Sequence, residues 1–487
     1  MTHHDANDTA EVPVVGDDFE QDEHGEHEQR GERVERRSLP TRPVVVAANR
    51  LPVTRGPDGG WNPSPGGLVR ALLPLLRASG GTWVGWTGEA DDAPEPFTHD
   101  GVNLHPVAVS ADEVQDYYEG FSNDTLWPLY HDALRDSTYS GQHWAAYQTV
   151  NQRFADALAA VAPDEAIVWI HDYHLQLVPQ LLRDKRPDLV IGFFFHIPFP
   201  PVELFMRLPW RTEIAAGLLG CDLVGFQRAI NAANFHTVCD ELLGRRTQVG
   251  SYPISIDVSE LEAVAAGRAT RQRSNRYRTR LGEPEVVLLG VDRLDYTKGI
   301  SQRLRAYQSL LDDGTLDVER CVMVQVATPT REGVEHYQVE RREIEQLVSE
   351  INGVHGRLGY PAIHYLYQSL PLDELVALYR TGDVMVVTPL RDGMNLVAKE
   401  YVTTRLDGDG VLVLSEFAGA ADELTDAVLV NPHDSGALRD AIVTAVEMNR
   451  HDRRARMARL RDVVRGSDVQ TWAQRFLADL TGTVTAP

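Results

Sequence analysis

The sequence holds only three cysteines, Cys221, Cys239 and Cys321, far apart and with no CxxC pair. That excludes a disulfide framework and a cysteine-based zinc site, and it fits a reducing compartment. No apolar run approaches the roughly 18 residues of a membrane span. The amino terminus lacks the basic-then-apolar pattern of a signal peptide, so a soluble cytoplasmic protein is expected. Positive charge is also scarce: 47 Lys and Arg stand against 71 Asp and Glu, a net charge of −24. Residues 1–40 carry twelve of the acidic residues and four Arg, a local −8 that leaves −16 for the rest. An acidic body excludes nucleic acid, which needs a basic face, and an anionic membrane surface. It does not exclude anionic ligands, because a local cluster of Arg and Lys overrides the global sign. No internal repeat and no GxGxxG is present.

Residues 1–40 are polar and poor in large apolar groups. They are expected to be a disordered acidic tail, and His3, His4, His24 and His27 are read as part of that tail, not as a metal site. The body begins at PVVVAANR, where unbroken apolar strands start to alternate with helical stretches. Unbroken strands are buried on both faces, which implies parallel sheets and an α/β fold. A second set of strands begins at EVVLLGVDR, after YPISID (252–257) and a charged, helix-prone stretch (260–281). The expected architecture is two Rossmann-like doubly wound domains facing across a cleft, residues 41–253 and 254–468, hinged near 253.

The strand ends carry the functional signal. VVVAA leads to Asn49-Arg50, AIVWI to His171-Asp172-Tyr173-His174, and IGFFF to His196. VVLLGV leads to Asp292-Arg293 and then Lys298-Gly299, VMVQVA to Thr330-Arg331, and VMVV to Arg391-Asp392-Gly393. In parallel sheets the carboxyl ends of the strands line one crevice, where ligands bind. Gly66-Gly67 precede the helical run LVRALLPLL, and Gly393 opens MNLVAKEY. Glycine before a helix lets a ligand approach backbone N–H groups closely. Those groups, with Arg293 and Lys298, suit a diphosphate. Glu400, about two helical turns beyond Asp392, lies at ribose distance from such a diphosphate. YYEGFSNDTLWPLYH (117–131) reads as a region of weak regular structure, and its Tyr118 and Trp127 suit either a polar ligand or simple packing.

These motifs resemble a known family. NRLPV, the glycine pair, YYxxFSNxxLWPLYH, WIHDYHL, IGFFFHIPFP, RLDYTKG, PTRE and TPLRDGMNLVAKEY, in this order, are similar to those of trehalose-6-phosphate synthases, which are retaining glycosyltransferases of the GT-B fold. The resemblance spans residues 42–480 and leaves the tail outside. It implies transfer of glucose from a nucleotide sugar, usually UDP-glucose, with ADP- and GDP-glucose open, to glucose 6-phosphate. On this resemblance Arg50, Tyr118, Trp127 and Arg331 hold the acceptor's phosphate and ring, and Asp172 meets one of its hydroxyls. Gly66 and Gly67, with Arg293 and Lys298, meet the donor diphosphate, and His196 and Asp392 meet the transferred glucose. The segment Gly393, Met394, Asn395, Leu396, Val397, Ala398, Lys399 and Glu400 meets phosphate and ribose. Leu370, before Pro371, flanks the base where some members carry an aromatic ring. A homo-oligomer, dimer or tetramer, is implied, with no metal or other cofactor. A carboxyl-terminal helix (469–487) is expected to pack back on the first domain, and no second catalytic domain is expected beyond it.

Retention permits a carboxylate nucleophile, with Asp172 and Asp392 as candidates. The resemblance instead implies front-face attack, in which the leaving phosphate takes the acceptor proton. His171 and His174, flanking Asp172, are read as structural hydrogen-bonding groups, and Asp407-Gly408-Asp409 as a turn at the wrong end of its strand for metal binding. Lys399 reads equally as a solvated side chain or a ligand contact, Trp83 and Trp86 as core, and His364 as structural. The rival readings are another acceptor such as a glycerol phosphate, and a non-catalytic sugar-phosphate sensor.

Overall fold

Strands form where the sequence carries unbroken β-branched runs, because such side chains suit a pleated surface buried on both faces. A computed structural model describes residues 42–485, apart from 57, 58, 65 and 134–136. The acidic segment 1–40 and its four histidines lie outside the described residues. The first ten strands are β1 (Val44–Arg50), β2 (Val53–Arg55), β3 (Trp61–Pro63), β4 (Thr82–Trp86), β5 (Phe97–His99), β6 (Val102–Pro106), β7 (Ile167–His171), β8 (Val190–Phe194), β9 (Leu223–Phe226) and β10 (Gln248–Ser251). Eight of them form one sheet in the order β10-β9-β8-β7-β1-β4-β6-β5. All its pairings are parallel except that of the edge strand β5, and β2 pairs with β3 as a separate antiparallel ribbon.

Six more strands follow: β11 (Val286–Arg293), β12 (Cys321–Thr328), β13 (Ile363–Tyr367), β14 (Val384–Val387), β15 (Val411–Ser415) and β16 (Val428–Val430). They make a second, all-parallel sheet in the order β13-β12-β11-β14-β15-β16. In both sheets the strand order reverses around the first strand, β1 or β11, as in doubly wound α/β folds, which place ligands at that switch point. The ionisable strand ends belong to β1, β7, β8, β11, β12 and β14; all but β8, one strand further out, lie at or beside the two switch points.

The last helix, Val469–Thr485, follows the second sheet in sequence yet packs on β8 and β9 of the first. Phe476 stacks on Trp169 with ring centroids 4.6 Å apart. Gly192 in β8 and Gly225 in β9 make room for it, since a Cβ on either would lie within 3 Å of the Phe476 ring.

One expectation fails. The stretch around Tyr118 and Trp127 is helical: Ala111–Glu113, then a wide run Val114–Leu126 with i→i+5 bonding, then Trp127–Tyr130. Ser110 and Glu113 cap one another at its start. Its small polar residues suggest a loop, but Ser122, Asn123 and Thr125 are buried, and the Asn123 and Thr125 side chains are hydrogen-bonded. Asn123 accepts from Tyr173 Oη at 2.8 Å and donates to the Tyr118 carbonyl at 2.7 Å.

Candidate active site

On the first-sheet side, β1 ends at Arg50, whose guanidinium stacks 4.3 Å over Trp86 and 5.1 Å from the Tyr118 ring. Burial works to raise the Tyr118 hydroxyl, but Arg50 and Arg331 draw it below its usual range. β7 delivers Asp172, whose backbone has φ 73°, a strained value for a non-glycine residue. Its Oδ1 accepts the His196 N–H at 3.2 Å, and burial pushes its carboxyl up to about 6. His196 pairs through Nε2 with His171 Nδ1 at 3.1 Å. Burial lowers its pKa to about 3, so the ring is neutral.

On the second-sheet side, β11 ends at Arg293, and the following turn buries Lys298. Lys298 Nζ lies 2.6 Å from Asp392 Oδ2. Burial works to raise the Asp392 carboxyl, but Lys298 overrides it and holds it below the ordinary range. Arg331, after β12, is held by Asp295 Oδ2 at 3.3 Å and donates to Tyr173 Oη at 3.0 Å. Among the described residues no carboxylate lies within ion-pair distance of Arg50 or Arg293, and both remain exposed to the cleft.

The two sides meet on Trp127. Arg331 sits 3.7 Å and Arg293 5.5 Å from its ring centroid. Trp127 is buried, and its indole N–H has no hydrogen-bond partner, an orphan donor of the kind a ligand satisfies. Elsewhere the contact is tight. A Cβ on Gly393 would collide with the His196 carbonyl, and one on Gly67 with the Leu396 side chain. Arg391 reaches Asp132 at 3.3 Å, and Arg228 grips Asp422 with two bonds of 2.7 Å.

The helix Leu396–Thr404 starts at Asn395, which has φ 131°. The first N–H groups of a helix lack intrahelical acceptors. One of them, Ala398 N–H, is taken by Asn395 Oδ1 at 3.0 Å, which leaves those nearer the start for an anion. Glu400 is buried, accepts from Tyr379 Oη at 2.7 Å, and faces Arg70 Nη2 at 3.6 Å. Burial raises its carboxyl above the ordinary range.

One expected residue stands apart from this group. Lys399 is neither solvated nor turned to the cleft. It is buried, with Nζ 2.7 Å from Glu423 and 3.0 Å from the Ile254 carbonyl, so it fastens the helix to the inter-sheet connection. Leu370 packs on the apolar core beside Pro371. Asp407 pairs with Arg405 and Asp409 with Arg450. Among the described residues no three His, Cys, Asp or Glu side chains gather as a metal-ion site.

Sequence reasoning missed Trp86 as a platform for Arg50, Asp295 as the holder of Arg331, and Arg70 and Tyr379 beside Glu400. Asp295 had a signal, since it sits inside RLDYTKG between Arg293 and Lys298. Arg70 and Tyr379 had none, because each meets Glu400 only through the fold.

The chain has relatives among known proteins and solved structures. The glycosyltransferase family 20 model matches residues 42–482. A trehalose-6-phosphate synthase of Mycolicibacterium smegmatis is 53% identical over 468 residues, covering 91% of this chain and 93% of that protein. Among solved structures, an α,α-trehalose-phosphate synthase (UDP-forming) from Burkholderia xenovorans in complex with glucose-6-phosphate superposes with a TM-score of 0.84. It is 33% identical, with coverage of 90% of this chain and 100% of that one. An E. coli structure bound with UDP-2-fluoro glucose gives 0.83 at 35% identity, over 90% and 98% of the two chains.

Proposed function

This chain belongs to glycosyltransferase family 20, and on that premise we propose how its residues carry glucose from a nucleotide-glucose to glucose 6-phosphate, giving α,α-trehalose 6-phosphate and a nucleoside diphosphate. The fold is GT-B. The observation that carries the residue assignment is the convergence of Arg293 and Arg331 on Trp127, with Arg50 across from them. A reaction between a sugar phosphate and a nucleotide sugar brings two anions into one cleft and needs two sets of cations.

Arg50, Tyr118, Trp127 and Arg331 take the acceptor's phosphate and ring, and the Asp172 carboxylate accepts from an acceptor hydroxyl. Arg293, Lys298 and the N–H groups at the start of Leu396–Thr404 take the donor diphosphate, with Glu400 on the ribose. His196 and Asp392 meet hydroxyls of the transferred glucose. The bond between glucose C1 and the diphosphate oxygen breaks as the acceptor oxygen bonds to C1 on the same face. The acceptor's proton passes to the departing phosphate oxygen. Asp392 supports this over a nucleophilic role, because its Oδ2 is already engaged by Lys298 at 2.6 Å and by Asn395 Nδ2 at 3.2 Å. The protein's task is alignment and the neutralisation of charge on the leaving group, and no metal is assigned.

Residues 41–253 and 254–468 act as two lobes hinged near 253. A cytoplasmic setting is supported by three free, buried thiols, and among the described residues no helix is long and apolar enough to cross a membrane. Self-association is supported by Val354, Leu358 and Tyr360, which expose 72%, 102% and 45% of their surface around one turn.

The test is an endpoint assay with glucose 6-phosphate and, separately, UDP-, ADP- and GDP-glucose, identifying the product by mass and by trehalose-specific digestion after dephosphorylation. Trehalose 6-phosphate from at least one donor is expected, and the yields rank the bases. Absence of product from all three would overturn the reading.

A further inference from the structure

Arg303 lies in the helix Ile300–Asp312 and is fully buried. Its guanidinium is used on every side. Nε donates to Thr388 Oγ1 at 3.0 Å, Nη1 to the Val386 carbonyl at 2.8 Å, and Nη2 to the Lys298 carbonyl at 3.0 Å. Nη2 also stands 2.7 Å from Asp292 Oδ2, as an ion pair off the hydrogen-bond direction. Thr388 Oγ1 in turn donates to the Gly299 carbonyl at 3.0 Å.

Three chain segments therefore meet on one side chain. Asp292 immediately precedes Arg293, Lys298 contributes its own carbonyl, and Val386 and Thr388 lead to Asp392. Room for the guanidinium is provided inside β11, where a Cβ on Gly290 would sit 2.6 Å from Arg303 Nη1. Glycine weakens a strand interior, so its presence there marks a close approach.

Stability alone does not account for this buried charge. A buried ion pair gains little net stability over a well-packed apolar pair, because desolvation offsets the attraction. A rigid planar fork does fix geometry, and lysine cannot reproduce it. We propose that Arg303 is a positioning residue for glucosyl transfer, setting Arg293, Lys298 and Asp392 relative to one another so that they converge on the leaving diphosphate and the transferred glucose. This rests on the donor-site reading above.

Two variants test it. Arg303→Lys keeps a charge opposite Asp292 and loses the fork. Arg303→Met combined with Asp292→Asn removes both charges at similar volume. Each is assayed beside the wild type, well below its own melting temperature, and UDP binding is measured by calorimetry. The expected result is a kcat about 100-fold lower, an unchanged KM for glucose 6-phosphate, and weaker UDP binding. A role in stability only would lower the melting temperature and leave kcat and UDP affinity at wild-type values, and that result would overturn the proposal. Should neither variant fold, Thr388→Val removes the shared hydroxyl and spares the ion pair. A kcat loss of about tenfold, the worth of one such hydrogen bond, is then expected, and a loss under about twofold would overturn it. A wild type that makes no trehalose 6-phosphate would sink the functional reading instead, and the UDP affinities would still decide the role of Arg303.

Discussion

The Lys298 ammonium and the Asp392 carboxylate, 94 residues apart in sequence, lie 2.6 Å from one another with side chains only 9% and 14% exposed. Each is the other's counter-ion at the point where donor charge is proposed to build. Lys298→Ala removes a preorganised cation and leaves Asp392 buried without its partner. A loss of about 100- to 1000-fold in kcat/KM, or ~2.7–4 kcal/mol, is expected, and the same for Arg293→Ala. Values within tenfold of wild type would refute the diphosphate role.

Glu400 has one oxygen on Tyr379 and the other toward Arg70. Glu400→Gln should raise the KM for nucleotide-glucose about tenfold, the worth of one or two hydrogen bonds, and leave that for glucose 6-phosphate unchanged. Equal movement of both constants would remove Glu400 from the ribose. Arg70→Ala should act more weakly on the donor constant, because its side chain is one-third exposed and screened.

Asp172 gives a pH signature. Burial pushes its carboxyl from 3.8 up to about 6. Between those values the folded protein holds a proton that the unfolded chain has released, so stability falls as pH rises through that window. The acceptor-binding form is the carboxylate, so kcat/KM for glucose 6-phosphate should climb as pH rises through about 6. The sugar phosphate itself ionises in the same range. Asp172→Asn separates the two: its profile should keep the substrate's limb, lose the enzyme's, and lie lower throughout. A profile of unchanged shape would show that Asp172 does not titrate in the rate.

The neutralising charge in the proposed transfer comes from side chains and helix N–H groups. Initial rates after exhaustive treatment with EDTA should therefore stay within about twofold of the untreated enzyme, given that a single oxyanion-type donor alone is worth far more. A large loss restored by added Mg²⁺ would require a metal in the mechanism.

Two sheets that share one cleft should draw together when both substrates bind. Small-angle scattering with UDP and glucose 6-phosphate should give a smaller radius of gyration than the free protein. Identical curves with and without ligands would count against closure about residue 253.

The parts legible in the sequence are those written as contrast. VVVAA, AIVWI and VVLLGV stop abruptly at polar or ionisable residues, and those stops fall at the two switch points. What was hidden depends on burial. Lys399 looks like any surface lysine until Glu423 and the Ile254 carbonyl are placed around it. Arg303 lies in SQRLRAYQ, which reads as the polar side of an amphipathic helix, and only Gly290 in mid-strand hints otherwise. Residues 114–126 suggest a loop because Gly, Ser, Asn, Asp and Thr usually serve turns. Here they fill a wide helix whose hydrogen bonds are made by partners such as Tyr173, distant in sequence.

The seating of Phe476 on Trp169 bears on the order in which the molecule is built. Residues 44–251 leave the ribosome early, but the surface of β8 and β9 around Gly192 and Gly225 is shaped for rings translated after the whole second sheet. The first sheet therefore emerges with part of its apolar face bare, and that face stays open until the helix Val469–Thr485 has followed the whole second sheet out. Long-range closures of this kind are slow and leave sticky intermediates. A ribosome stalled near residue 460 would hold a second sheet with all its strands and a first sheet still lacking its final wall.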